Sequence, residues 1–481
     1  MGKKVAIIGA GVGGLAAAAR LGSRGHEAVV FEKLPECGGR AHCIVDKGFT
    51  FDTGPSFILM PDFFEEVFTY CGEKMSDYLD LKVLNTNYKI FYPDGDSLTV
   101  YKDREKTSHE LERIEKGSSV KYLSFLKDLK ELDACVRPLL YRCLGLKDLL
   151  DPRYWLLAGK IKAFQSYWQL AKRYFSDEKL CYAFTFEAMF IGVSPFQAPA
   201  FYSIITYADH IQHISHPMGG MYQVPLALER LARKFNVSFQ YSTQVQSIKK
   251  SGKNIILEFD DRQEVFDSVV VNADYSYAQS SLLERRIPEY KYSCSVYLMY
   301  LGLKDMVHGL HHHNLFFSKN LPKNLDEIFK NDLVPEDPSF YVHVPTVTDF
   351  SLAPFGKDLV YILVPVANLR RPNDNFKEQE EALRKTVFKK INQAAGCNIE
   401  DLIEVEHRFY PGDFIDRYNI KYGATFGLAH NLTQSAFFRP GNYDRSIDGL
   451  YYVGASTQPG GGLPVVIAGS RIVADLIEKR K

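Results

Sequence analysis

The stretch KVAIIGAGVGGLAAAARLGSRGHEAVVFEK, residues 4–33, decides the fold. A short apolar run ending at Ile8 is followed by a glycine turn, then by an alanine-rich run that favours helix, then by a second apolar run ending at Phe31. That order spells a βαβ unit, in which two parallel strands are joined through a crossover helix. Gly9, Gly11 and Gly14 stand in GxGxxG register at the junction of strand and helix. In that register Gly9 permits the tight turn, Gly11 lets the backbone approach a pyrophosphate, and Gly14 allows helix and strand to pack closely. The phosphate then sits on the helix N-terminus. Glu32 ends the second strand, eighteen residues beyond Gly14, where a carboxylate accepts hydrogen bonds from ribose hydroxyls. An alanine- and glycine-rich helix start without a ligand would not need an acid at that spacing, so the stretch predicts a dinucleotide site.

Two further loops bear on which dinucleotide. Gly38-Gly39-Arg40 and Asp52-Thr53-Gly54-Pro55-Ser56 follow within one loop region. Backbone amides and a cation there suit a long, extended ligand such as FAD; the competing reading is a surface turn with a salt-bridged arginine. At the other end of the chain, LYYVG leads to Gly454, and TQPGGGLP opens a helix near Pro464. Proline favours the first helical turn, and such a helix start stabilises negative charge on a reduced ring. A merely structural glycine loop is the alternative.

Working outward, 481 residues exceed one typical domain, and 58 basic against 58 acidic residues give no global drive towards nucleic acid or anionic lipid. Eight cysteines without a CxxC fit a reducing, cytoplasmic setting rather than a disulfide framework. The uncharged stretches Ala188 to Ala208 and Gly449 to Ser470 are too rich in glycine and proline for membrane spans. Residues 88–101 read as a hairpin around Pro93-Asp94-Gly95, about a hundred mostly helical residues follow, and VPLALERLARKF, VSFQY and VFDSVVVNA return to the opening pattern. The pattern predicts an α/β protein with interleaved domains: 1–80, 216–285 and 405–481 binding the dinucleotide, 81–215 and 286–404 forming a second, mixed-sheet and helical domain.

GAGVGGL, FEK, GGRA, DTGPS, HPMGGM, YGATFGLAHNLTQSAFFRP and GLYYVGASTQPGGGLP together resemble the bacterial-type phytoene desaturase family, the carotenoid desaturases and isomerases of the FAD-dependent amine-oxidase-like superfamily. The resemblance runs nearly end to end; Gln458 and Gly461 stand where His and a small side chain such as Ala are more usual. It implies a glutathione-reductase-like FAD-binding Rossmann domain with an inserted substrate domain. It also implies cofactor contacts at Gly9, Gly11, Gly14, Glu32, Gly39, Arg40, Gly54, Val245, Gly454 and Leu463, with Val245 touching adenine through its backbone. The implied activity is dehydrogenation of a long polyisoprenoid hydrocarbon: phytoene or a C30 analogue. The same superfamily admits a carotenoid cis-trans isomerase, a retinol saturase or a carotenoid oxidase, and a non-enzymatic prenyl-lipid chaperone of the Rab-escort type.

No second GxGxxG occurs, so electrons are expected to leave for oxygen or a membrane quinone rather than a nicotinamide. Both tryptophans, Trp155 and Trp168, lie in Arg153 to Phe175, which carries five cations and no acid. Such a helix predicts peripheral membrane contact over about residues 150–208; an amphipathic core helix is the alternative. The phenylalanines and tyrosines before and within Ala188 to Ala208 would line a tunnel for an apolar chain or build plain core. His210, His213 and His216, and the run His311 to His313 in an apparent loop, are expected to be solvated or structural rather than metal ligands. No catalytic base is singled out by the sequence.

Overall fold

The computed structural model describes residues 2–371 and 376–479. Strands Lys4–Ile8 and Glu27–Phe31 pair in parallel and are joined by the helix Val12–Ser23, buried from Val12 to Gly22. Its alanines leave room for helices Gln223–Lys234 and Leu463–Lys479, which pack against it. Distant segments complete the sheet. Its order is Leu450–Tyr452, Ser268–Val271, Lys4–Ile8, Glu27–Phe31, Ser238–Gln240, parallel throughout. Because both faces are covered, the central strands are apolar without alternation. The apolar stretch VFDSVVVNA is not one strand, however. Up to Phe266 it closes a three-stranded antiparallel sheet, and after Asp267, which accepts from the Lys4 amide at 2.7 Å, it enters the parallel sheet.

A second sheet has seven strands in the order Ile403–Phe409, Ser295–Leu303, Asp358–Val366, Phe340–His343, His313–Phe316, Thr86–Phe91, Ser97–Tyr101. Only the pair His313–Phe316 with Thr86–Phe91 is parallel. Helix Phe376–Ala395 covers one face through Leu383, Val387, Phe388 and Ile391. The other face meets the helical layer, including Ser118–Val136, in the largest apolar cluster of the molecule. The expected return to the nucleotide-binding part at residue 405 therefore falls inside a strand. Ile403–Phe409 pairs along Ser295–Leu303, so the return follows Phe409.

The segment Arg153 to Phe175 is not a single helix. It forms Pro152–Lys160 and Tyr167–Ala171, separated by Lys162 with φ 54° and restarted by Ser166, whose hydroxyl accepts from the Gln169 amide. Its cations are also less isolated than the local sequence implied: Arg153 pairs with Asp151, Lys162 with Asp128, and Lys172 lies 3.9 Å from Glu178. The run His311 to His313 is not solvated. His312 and His313 are buried, and His313 begins a strand. All eight cysteines are unpaired, and among the described residues no helix is long and apolar enough to cross a membrane.

Candidate functional site

The two glycine turns predicted to cradle a dinucleotide press against each other. The Gly38 amide donates to the Ala10 carbonyl at 2.9 Å, and a Cβ on Gly39, where φ is +57°, would stand 3.3 Å from the Gly11 Cα. A Cβ on Gly54 would stand 1.9 Å from the Arg40 carbonyl oxygen, so the strand-end loop passes beneath Arg40 only because residue 54 has no side chain. The Arg40 guanidinium donates to the Thr425 carbonyl and faces Asp274, which makes it a cation anchored over the cradle rather than a surface salt bridge. Glu32 accepts from the Ala10 and Leu34 amides at 2.8 and 2.9 Å, one on each oxygen. Burial pushes its protonation above the ordinary carboxylate range. A carboxylate offers about four lone-pair directions, so acceptor capacity is left for ribose hydroxyls.

Gly9, Gly11, Glu32, Gly39, Arg40, Gly54, Val245, Gly454 and Leu463 all line one cavity of about 580 Å³. Gly14 does not. A Cβ there would meet the Gly9 carbonyl at 2.2 Å, so Gly14 serves the packing of helix on strand beneath the cradle. The walls contributed by the second sheet and the helical layer are apolar, with Phe190, Leu298, Leu315 and Phe317 among them, joined by Phe57. The aromatic stretch before and within Ala188 to Ala208 divides between roles: Phe186, Phe190, Phe201 and Tyr202 face the cavity, whereas Phe184 and Tyr207 pack in the core. Among the described lining residues the only carboxylates are Glu32 and Asp274, both at the nucleotide end.

Three residues to which the sequence assigned no role organise the junction. His430 donates from Nδ1 to the Ile191 carbonyl at 3.1 Å and accepts the Gly461 amide on Nε2 at 2.9 Å. Both nitrogens are occupied, and burial with the nearby Arg439 pushes its protonation well below the ordinary imidazole range, so it positions the glycine loop and holds no free lone pair for a base. Arg439, also buried, donates to the carbonyls of Thr457, Gln434 and Leu428. Gln458 accepts from the Leu144 amide at 2.7 Å and donates to the carbonyls of Leu144 and Ala436, each at 2.8 Å. It thereby ties the helical layer to the glycine loop. These partners are backbone groups in loops and short turns, many of them distant in sequence such as Ile191 and Leu144, so no local motif announces them.

Behind the apolar walls, Glu187 and Asp209 are buried beside His210. Asn87 donates to Asp209, Tyr167 to Glu187, and the His210 ring lies between the hydroxyls of Tyr88 and Tyr122. Desolvation pushes the protonation of both carboxyls well above the carboxylate range, Glu187 further raised by the nearby Asp209 and Asp209 reaching about 8, and burial pushes that of His210 down to about 3.

A βαβ cradle, an anchoring acid and a second glycine loop at a helix start define a dinucleotide-dependent oxidoreductase of the α/β type. The chain belongs to the flavin containing amine oxidoreductase family, whose pattern it matches over residues 12–477, and its cofactor is FAD. It is 40% identical over 489 residues to the zeta-carotene-forming phytoene desaturase of Myxococcus xanthus, covering 98% of this chain and 93% of that one. It is 35% identical over 499 residues to a 4,4'-diapophytoene desaturase (4,4'-diaponeurosporene-forming) of Staphylococcus aureus, covering 99% of each. Among solved structures, an oxidoreductase from Methanosarcina mazei superposes with a TM-score of 0.65 at 18% identity, over 99% of this chain and 100% of that one. Putrescine oxidase with bound putrescine gives 0.64 at 14%, over 99% of each; these likenesses concern the fold. The residues present fit FAD: three side-chain-free positions where a Cβ would crowd the cradle, and a carboxylate with acceptor capacity to spare.

Proposed function

We propose that the chain is an FAD-dependent desaturase of a long polyisoprenoid hydrocarbon, phytoene or its C30 analogue. The observation that carries this is the single cavity joining the dinucleotide cradle to an apolar room without a carboxylate, together with the desaturase relatives. Bound FAD supplies the two-electron acceptor for removal of two hydrogens, one as hydride and one as proton, from adjacent carbons that become a double bond. Gly9, Gly11 and Gly39 would take the pyrophosphate, with Arg40 as the nearby cation. Glu32 would take the ribose, the Val245 backbone the adenine, and Gly54, Gly454 and Leu463 the ring. Gly14 supports the cradle from below. A hydrocarbon offers no hydrogen-bonding handle, so the aromatic and aliphatic walls select by shape and exclude water.

A hydrocarbon substrate would be drawn from a bilayer, and exposed apolar side chains support a route to it. Leu150, Trp155, Leu156 and Phe164 are 85, 60, 71 and 71% exposed, on the same stretch of chain as Ile161 of the cavity wall. A patch of this kind marks an interaction surface, and here it supports peripheral membrane docking through apolar side chains more than through cations. Oxygen or a membrane quinone would then reoxidise the flavin. Incubation of FAD-loaded protein with C40 and C30 polyenes in liposomes tests the proposal. Products with longer conjugated chromophores are expected from at least one; isomerised or oxygenated products alone would replace it.

A further inference from the structure

The histidines that the FAD cavity does not use converge in the fold. His216 lies in the strand Ser215–Pro217, where the chain leaves the helical layer. His312 precedes the strand His313–Phe316, and His343 ends the neighbouring strand Phe340–His343. Ring centroids of His216 and His312 are 4.9 Å apart, and those of His312 and His343 are 4.8 Å apart. One ring nitrogen of each lies within 4.8 Å of the other two, and all three side chains are buried. None of them lines the cavity described above.

Two of the rings are already held from outside. His312 Nδ1 lies 2.7 Å from the Thr348 hydroxyl, and His216 Nε2 lies 3.3 Å from Asp349 Oδ2. Hydroxyl and carboxylate partners of this kind fix the tautomer and orientation of metal-bound imidazoles. Asp349 is itself fixed by the Gly219 amide and the Ser351 hydroxyl, each at 2.6 Å. What remains facing inward is His312 Nε2, 3.0 Å from His343 Nε2. His216 Nδ1 is buried with no hydrogen-bond partner, and such an orphan in a native interior calls for an explanation.

We infer that His216, His312 and His343 bind one divalent cation of intermediate softness, with Zn²⁺ the best match to three imidazoles. Thr348 and Asp349 orient the rings, and the ion staples the segment that leaves the helical layer to the seven-stranded sheet. The role is structural and independent of flavin chemistry.

The test is metal analysis of tag-free, FAD-loaded protein purified from cells grown with added Zn²⁺. About one zinc per chain is expected, with an X-ray absorption shell of nitrogen at about 2.0–2.1 Å and imidazole outer-shell scattering. Growth with Co²⁺ instead should add d–d absorption to the red of the flavin bands. His343→Gln should lower the metal content about tenfold, the scale expected when a binding group is lost, while His308→Gln at an exposed position leaves it unchanged. Wild-type protein with less than about a tenth of an equivalent, or with a shell of sulfur or of oxygen alone, would overturn the inference whether or not the variants fold.

Discussion

Gly11 and Gly39 leave a gap whose floor is backbone, and a side chain at either position would crowd the pyrophosphate site proposed there. A Cβ at Gly11 would already be 2.9 Å from Asn272 Nδ2, and a glutamate adds bulk and negative charge against a phosphate. Gly11→Glu is expected to give folded, colourless protein, read by circular dichroism and the flavin absorption bands; stoichiometric flavin in that variant would remove the cradle from the account. A second prediction concerns the buried pair Glu187 and Asp209. Both carboxyls hold protons above the ordinary carboxylate range, so the native state binds more protons than the unfolded chain, and stability falls as pH rises above about 4 through that window. Asp209→Asn keeps the acceptor for Asn87 and removes one of the two competing charges. Its melting temperature should exceed that of the wild type on the alkaline side of neutrality, the difference shrinking as pH falls; a difference independent of pH would contradict the assigned cause. Gly9, Gly11 and Glu32 are legible in the sequence, because their proposed roles follow from spacing along one βαβ unit, and Gly39 from its loop and the family resemblance. The sequence hides His430, Arg439 and Gln458, because their partners are main-chain groups of loops and short turns, most of them brought near by the fold.

Elements with a repeating apolar period are legible without the fold, and those defined by charge are less so. Helices such as Gln223–Lys234 and the hairpin around Asp94 follow from pattern and turn chemistry. Arg153 to Phe175 misleads, because its acids come from elsewhere: Asp128 on the helix Ser118–Val136, Glu178 beyond the segment and Asp151 before it. Trp155, Leu156 and Phe164 stay exposed there alongside Arg153, Lys160, Lys172 and Arg173. Replacing Trp155, Leu156 and Phe164 together by Glu is therefore expected to reduce co-sedimentation with liposomes at least tenfold while FAD content is retained, since burying each such side chain is worth about 1.5–3 kcal/mol. Unchanged sedimentation would move the membrane contact to another face. Gln458 belongs to this scale as well, since it joins the helical layer to the glycine loop. Gln458→Ala leaves the Leu144 amide and carbonyl without that partner and should cost about 1–3 kcal/mol in denaturant unfolding, with flavin lost before global unfolding.

For the molecule as a whole, the parallel sheet draws strands from residues 4–31, 238–271 and 450–452, and the seven-stranded sheet from the segments between them. Parallel neighbours need long crossovers, so the intervening segments are free to build the second layer, and the cavity forms where the two meet. Pairing across such distances leaves no local mark. That is why the strand Ile403–Phe409 reads as part of the C-terminal unit although it is an edge of the other sheet. The same architecture puts an apolar room directly beside the flavin cradle. Anaerobic mixing of the FAD-loaded protein with a C40 or C30 polyene in liposomes tests it most directly. Loss of the oxidised-flavin absorption is expected in step with one new conjugated double bond per flavin. Flavin that stays oxidised in the presence of both polyenes would contradict it.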